Sequence, residues 1–316
     1  MLAGPVYAAT VINHASTQER KTMAAAGNKT PAKKAVTRKA KKTTPKASTQ
    51  RQIARFGWTP DIPDHRDHIY AAIPAVLKKL PAKVDLRAKL PPVYDQGRIG
   101  SCTANAIAAA IQFDRSKNKQ KPDFVPSRLF VYYNERAVEG SITTDSGAQI
   151  RDGIKQVAKL GVPPESLWAY DDTPALSDGG PWPTGAKPAQ KPSAAAYTEA
   201  AKYQAISYQR LPRTLNAFRG VLAEGYPFVF GFSVYENLYG ADGKPLNTVL
   251  LPGPKDQLLG GHAVLAVGYD DAKQVFIVRN SWGAKNQDKG YFYMPYAYLT
   301  EEGLSDDFWT IRLIEA

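Results

Sequence analysis

The apolar pattern changes period part-way along the chain, and that change limits the folds open to it. Ala104, Ile107, Ala108 and Ile111 fall at the i, i+3, i+4, i+7 positions of a buried helical face. SRLFVYYNERA (127–137) and SGAQIRDGIKQVAKLG (146–161) read as further helices, the second ending at Gly161. Proline and glycine crowd residues 171–196, which read as loop. Beyond them the segments YQAISYQRL, YPFVFGFSVY, HAVLAVGYD, QVFIVRNS, GYFYMPY and FWTIRLIE read as strands, with one helix, RTLNAFRGVLAEG, between the first two. Helices followed by antiparallel strands predict an α+β fold of two lobes: a mainly helical lobe over about 80–200 and a mainly β lobe over about 201–316, with a cleft between them.

The N-terminal part has another character. Residues 18–55 hold twelve Lys and Arg against the single acid Glu19, so nearly all of the net charge of +12 lies there. Such a stretch has too little apolar surface to offset chain entropy, and residues 1–55 are expected to be a disordered leader with a basic tail. That tail can touch polyanions nonspecifically, but it has no aromatic residue to stack a base. MLAGPVYAATVI is a poor match to a secretory signal because no basic residue precedes the apolar run. The compartment is left open, no transmembrane segment is expected, and a monomer is. Residues 56–79, rich in Pro and Asp, read as a pro-like or regulatory segment before a body at 80–316. DHRDH places His65 and His68 three apart without a third partner, a poor metal set, and no metal or cofactor is expected.

The chain has one cysteine, which excludes an internal disulfide and thiolate metal clusters. Cys102 follows Gly100-Ser101 at the start of the Ala-rich helix, where unpaired amides and the dipole favour a thiolate. Of four histidines only His262 lies in the body, at the head of an apolar strand behind Gly260-Gly261. Asn280 ends the next strand, so pairing would bring the two side chains together. An Asn carbonyl accepting the His Nδ1–H would turn the other ring nitrogen to the thiol.

DQGRIGSC, GGHAVLAVGY and VRNSWG resemble the three signature segments of the papain-like cysteine peptidases, in the same order and at compatible spacing. The resemblance runs from about Leu80 to the C-terminus and implies the two-lobed papain-like fold, with the right lobe locally similar to cathepsin B. It implies cysteine endopeptidase activity on polypeptides through a thioester. Cys102 would be the nucleophile, His262 its partner, Asn280 the group orienting His262, and Trp282 the shield over that hydrogen bond. Gln96 would complete the oxyanion hole with the Cys102 N–H. Gly147 and Ala148 would hold substrate backbone, and Gly231, Gly261 and Ala263 would wall a roomy pocket for a bulky apolar side chain.

The chain departs from the pattern in three places. Ile99 stands where a disulfide cysteine is usual, Thr103 where an aromatic residue follows the nucleophile, and AKNQDKGYF lacks a second tryptophan. The helix-rich propeptide pattern is also missing. Extended Pro-rich chain needs a groove, so Trp58, Ile62 and Tyr70 are expected to lie across or near the cleft and block it. Two other classes fit the same residues: acyl transfer to an amine acceptor, and a polyanion-binding protein built on a peptidase-like scaffold.

Overall fold

A computed structural model describes residues 56–314. The helices are α1 (Pro74–Leu77), α2 (Cys102–Lys117), α3 (Arg128–Glu139), α4 (Ile150–Leu160), α5 (Ala194–Ala200), α6 (Leu215–Ala223) and α7 (Tyr296–Thr300). The strands are β1 (Lys83–Asp85), β2 (Ala205–Arg210), β3 (Phe228–Tyr235), β4 (Leu258–Asp270), β5 (Val275–Arg279), β6 (Tyr291–Pro295) and β7 (Ser305–Ile314). They form one antiparallel sheet in the order β2-β7-β3-β4-β5-β6, with β1 added to the far end of β4. The body therefore begins on the sheet. β1 takes the edge of β4 that β3 leaves free: β3 pairs only as far as Ala266, and Lys83–Asp85 pairs with Asp270–Gly268 beyond it, while β5 lines the other edge at the same residues.

Local chemistry sets the helix ends. Ser127 and Thr214 cap α3 and α6, their hydroxyls accepting from Phe130 N and Ala217 N. Gly140 and Gly161, both at positive φ, close α3 and α4. α2 differs from the one-sided helix that its periodicity predicts: every residue from Cys102 to Arg115 is buried. It runs between α3 and α4 on one side and β4 on the other, and its alanines let those neighbours come close. On the β lobe, Phe218 of α6 packs against Phe228, Phe276 and Phe308 with ring centroids 4.5–5.9 Å apart. This apolar layer ties together β3, β5 and β7, and β4, paired between β3 and β5, is held with them.

Candidate active site

Cys102 is the first residue of α2, and Ser101 before it makes no side-chain cap. The Ser101 hydroxyl lies 2.6 Å from that of Tyr170, so the first-turn amides keep their positive character for the cleft. The thiol is fully buried, and its Sγ accepts from the Ala263 N–H of β4 at 3.3 Å. The two lobes thus meet at the sulfur.

His262 lies one residue before Ala263 on β4. Its Nε2 is 2.9 Å from the Asn280 carbonyl oxygen, and the Trp282 ring stacks on the imidazole at 4.8 Å. β4 and β5 are paired, with Leu265 opposite Arg279, so Asn280, just past the end of β5, lies diagonally across from His262 and within reach of its side chain. The ring nitrogen differs from the sequence expectation: Nε2, not Nδ1, holds Asn280. Nε2 is the outer nitrogen of the ring, and it is the one that reaches the neighbouring strand's end, where Asn280 stands. Gln96 ties the lobes from the other flank. Its N–H donates to Ser281 O at 2.8 Å, its side-chain carbonyl accepts from the Ser281 hydroxyl at 2.6 Å, and its Nε2 donates to Ile99 O at 3.0 Å.

A length of the chain itself lies in the cleft. Gly57 O accepts from Ala148 N at 2.8 Å, Thr59 N donates to Ala148 O at 3.1 Å, and Trp58 N donates to Gly261 O at 2.9 Å. Trp58 pairs with Ala148 in parallel. Its indole fills the space beside Gly231 and Gly261: a Cβ on Gly231 would sit 1.9 Å from the ring, and one on Gly261 2.7 Å from it. The indole N–H donates to Asp307 Oδ2 at 3.1 Å. Phe56 stands edge-on to His262, ring centroids 6.1 Å apart, and covers Trp282. The Gly57 backbone N–H acts on the Cys102 sulfur in the sense that favours its anion. Burial under this cover pushes the Cys102 thiol up to about 12, against the opposing amides of Ala263, Gly57 and Thr103. The expected thiolate is therefore a neutral thiol here, because desolvation outweighs the helix terminus.

Residues 80–307 match the family described as papain family cysteine protease, more than two thirds of the chain. The chain belongs to that family. It is 40% identical over 281 residues to a peptidase C1-like protein of Acanthamoeba polyphaga mimivirus, covering 81% of this chain and 86% of that one. A cathepsin B-like protein of Giardia intestinalis is 28% identical over 218 residues, 64% of each chain. The crystal structure of xylellain, a cysteine protease from Xylella fastidiosa, superposes with a TM-score of 0.79 at 50% identity, covering 83% of this chain and 97% of xylellain. The protein is a cysteine peptidase with the two-lobed α+β papain-like fold.

Cys102, His262, Asn280, Gln96 and Trp282 converge at the junction of the lobes, and Gly147, Ala148, Gly231, Gly261 and Ala263 surround residues 57 and 58 or the thiol. Of the three leader residues, the structure brings only Trp58 into the cleft. The Ile62 side chain is 70% exposed and covers nothing; only its backbone is held, by Gln149 and Arg151. Tyr70 is buried against the β lobe instead, donating to Glu224 Oε1 at 2.7 Å beneath Arg312. Both are anchors, since the chain has left the cleft by residue 62. Sequence reasoning missed Phe56 and Gly57, although a glycine between two aromatic residues marks a close backbone passage. It also missed Gln287, whose carbonyl accepts from Asn280 Nδ2 at 2.8 Å. Asp61 and Asp307 lock the leader: Asp61 N donates to Asp307 Oδ2, and the Asp61 carboxylate accepts from Arg151 N and Trp309 Nε1. No local motif announces those contacts. Among the described residues no helix is long and apolar enough to cross a membrane, and the basic tail lies outside the described residues.

Proposed function

We propose that the chain is an endopeptidase in which Cys102 attacks the peptide carbonyl as a thiolate made by His262, and that residues 56–79 hold the 80–316 body shut. The observation that carries the reading is the Asn280–His262 hydrogen bond at 2.9 Å beside a sulfur held 3.3 Å from Ala263 N. With Nε2 committed to Asn280, Nδ1 takes the thiol proton and later returns it to the leaving amine. Water then hydrolyses the thioester. The Cys102 N–H at the uncapped helix start and a Gln96 side-chain N–H would bind the oxyanion; in enzymes one such donor is worth about 3–4 kcal/mol. Trp282 keeps water from the His262–Asn280 bond.

The leader can occupy this cleft without being cut. Its Gly57 N–H is turned toward the sulfur, and the Gly57 oxygen is bound by Ala148. In a trans peptide the Phe56 oxygen points opposite to that N–H, away from the nucleophile. Endopeptidase action follows from the body's histidines: His262 is its only one, and trimming of C-terminal dipeptides in the cathepsin B manner needs others.

The test is hydrolysis of an internally quenched peptide by the cut chain, folded whole, then cleaved at a site introduced between Lys79 and Leu80 and freed of its leader. Cleavage at internal bonds, absent in Cys102→Ala, is the expected result. Release of dipeptides alone overturns the endopeptidase reading, and transfer to an added amine in preference to water overturns hydrolysis.

A further inference from the structure

With Cys102 the only cysteine and Ile99 at the usual disulfide position, no covalent tie can hold the turn before the nucleophile to the rest of the helical lobe. A carboxylate does this instead. Gly100 N donates to both Asp145 oxygens at 3.0 Å, two residues before Cys102. Asp145 is 2% exposed, and its own N–H donates to Gly180 O at 3.0 Å.

The same carboxylate accepts from the Tyr132 hydroxyl, and that hydroxyl accepts in turn from Gly147 N at 3.3 Å. Gly147 precedes Ala148, whose two backbone groups grip the chain in the cleft. One turn along α3, the buried Arg136 lies over the Tyr132 ring at 4.1 Å and donates to Ile142 O and Thr144 O, both at 3.1 Å. Its guanidinium holds the loop that carries Asp145 and supplies positive charge to a buried acid. The tie thus runs from the nucleophile turn through Asp145 and Tyr132 to the edge that holds backbone.

We infer that Asp145 is a positioning residue for peptide cleavage: a carboxylate clamp, seated on Tyr132, that fixes the distance between the Cys102 thiol and the Gly147–Ala148 edge. The inference rests on the roles proposed above for Cys102 and Ala148. Asp145 touches neither substrate nor thiol; it acts by register. A nucleophile that keeps its chemistry but loses its distance from the bound backbone fails only on substrates that need that backbone grip.

The test compares two reactions in the cut chain. Asp145→Ala lowers kcat/KM on an extended peptide about 10- to 100-fold, the scale of a misplacement near 1 Å, with kcat and KM both affected. Alkylation of Cys102 by iodoacetamide, which needs no backbone grip, keeps its rate and pH profile. Asp145→Asn retains one acceptor oxygen for Gly100 and restores most of the peptide rate. Tyr132→Phe, which removes only the hydroxyl, gives an intermediate loss and covers the case in which Asp145→Ala does not fold. Unchanged kcat/KM in both folded variants overturns the clamp, as does an alkylation rate that falls in step with kcat/KM. If the cut wild type cleaves no peptide, the peptidase reading fails separately. The clamp is then read from the affinity of the cut leader for its body, which Asp145→Ala is expected to weaken about tenfold by loosening the Ala148 grip.

Discussion

Trp58→Ala tests the leader's hold on the cleft through one side chain. The indole is 8% exposed, walled by Gly231 and Gly261, and gives its N–H to Asp307. Truncating a buried Trp to Ala costs about 3–5 kcal/mol in a core. The open cleft refills with water, so the lower end applies, and about 3 kcal/mol raises the open fraction some 150-fold. Trp58→Phe keeps most of the burial and loses the N–H to Asp307, about 1 kcal/mol or fivefold. The assay is peptide hydrolysis by uncut full-length protein, scaled to the cut chain as the ceiling. The expected order of activity is Trp58→Ala, then Trp58→Phe, then wild type, with the cut forms of all three alike. A folded Trp58→Ala protein no more active than wild type, with Cys102 no easier to alkylate, refutes the argument.

Further predictions follow from the same contacts. Burial, and next the neighbouring Asp61, raise the Asp307 carboxyl to about 7 in the closed form, where Arg210, Arg151 and Asp306 also face the pair. A raised carboxyl favours closure below its ordinary range near 4, and that contribution is lost as pH rises through about 7; the raised Cys102 thiol acts in the same sense. The ratio of Cys102 alkylation in uncut to cut protein should therefore climb between about pH 4 and 7 and level off above it, and a ratio that is flat or falls over that range contradicts this. The Trp58 pocket should favour a substrate Trp over Phe about fivefold through the Asp307 acceptor, a preference that Asp307→Ala erases in a peptide library. Asn280→Ala should lower kcat about 10²-fold by freeing the His262 ring. Gln287→Ala, one step further out, should cost less, and equal losses would show that the chain of contacts is misread.

The strands and most helices are legible because their residues are locally consistent: Val275, Phe276, Ile277 and Val278 form a continuous apolar run, and Ser127 and Thr214 stand where caps are needed. The Cys102, His262 and Asn280 set is legible because strand pairing alone brings the last two together. Which nitrogen of His262 faces Asn280 is not, since it depends on the rotation of one ring against Ala263. The burial of α2 on every side is hidden because alanine reads as weakly apolar whichever face it occupies. Asp145 and Gly100 are 45 residues apart, and Trp58 and Asp307 are 249 apart. Polar contacts across such distances have no periodicity to betray them, which is why Ile62 and Tyr70 drew attention while Phe56, Gly57, Asp61 and Asp307 did not.

The central claim is that Cys102 is a peptidase nucleophile held neutral and covered by residues 56–58. Its most direct test is mass-spectrometric labelling of Cys102 with an excess of a peptidyl epoxide, in the protein before and after cutting between Lys79 and Leu80 and displacing the leader. The account predicts a slow adduct before, a fast one after, and loss of hydrolysis in proportion to labelling. Equal labelling in both forms, or hydrolysis that survives complete modification of Cys102, contradicts it.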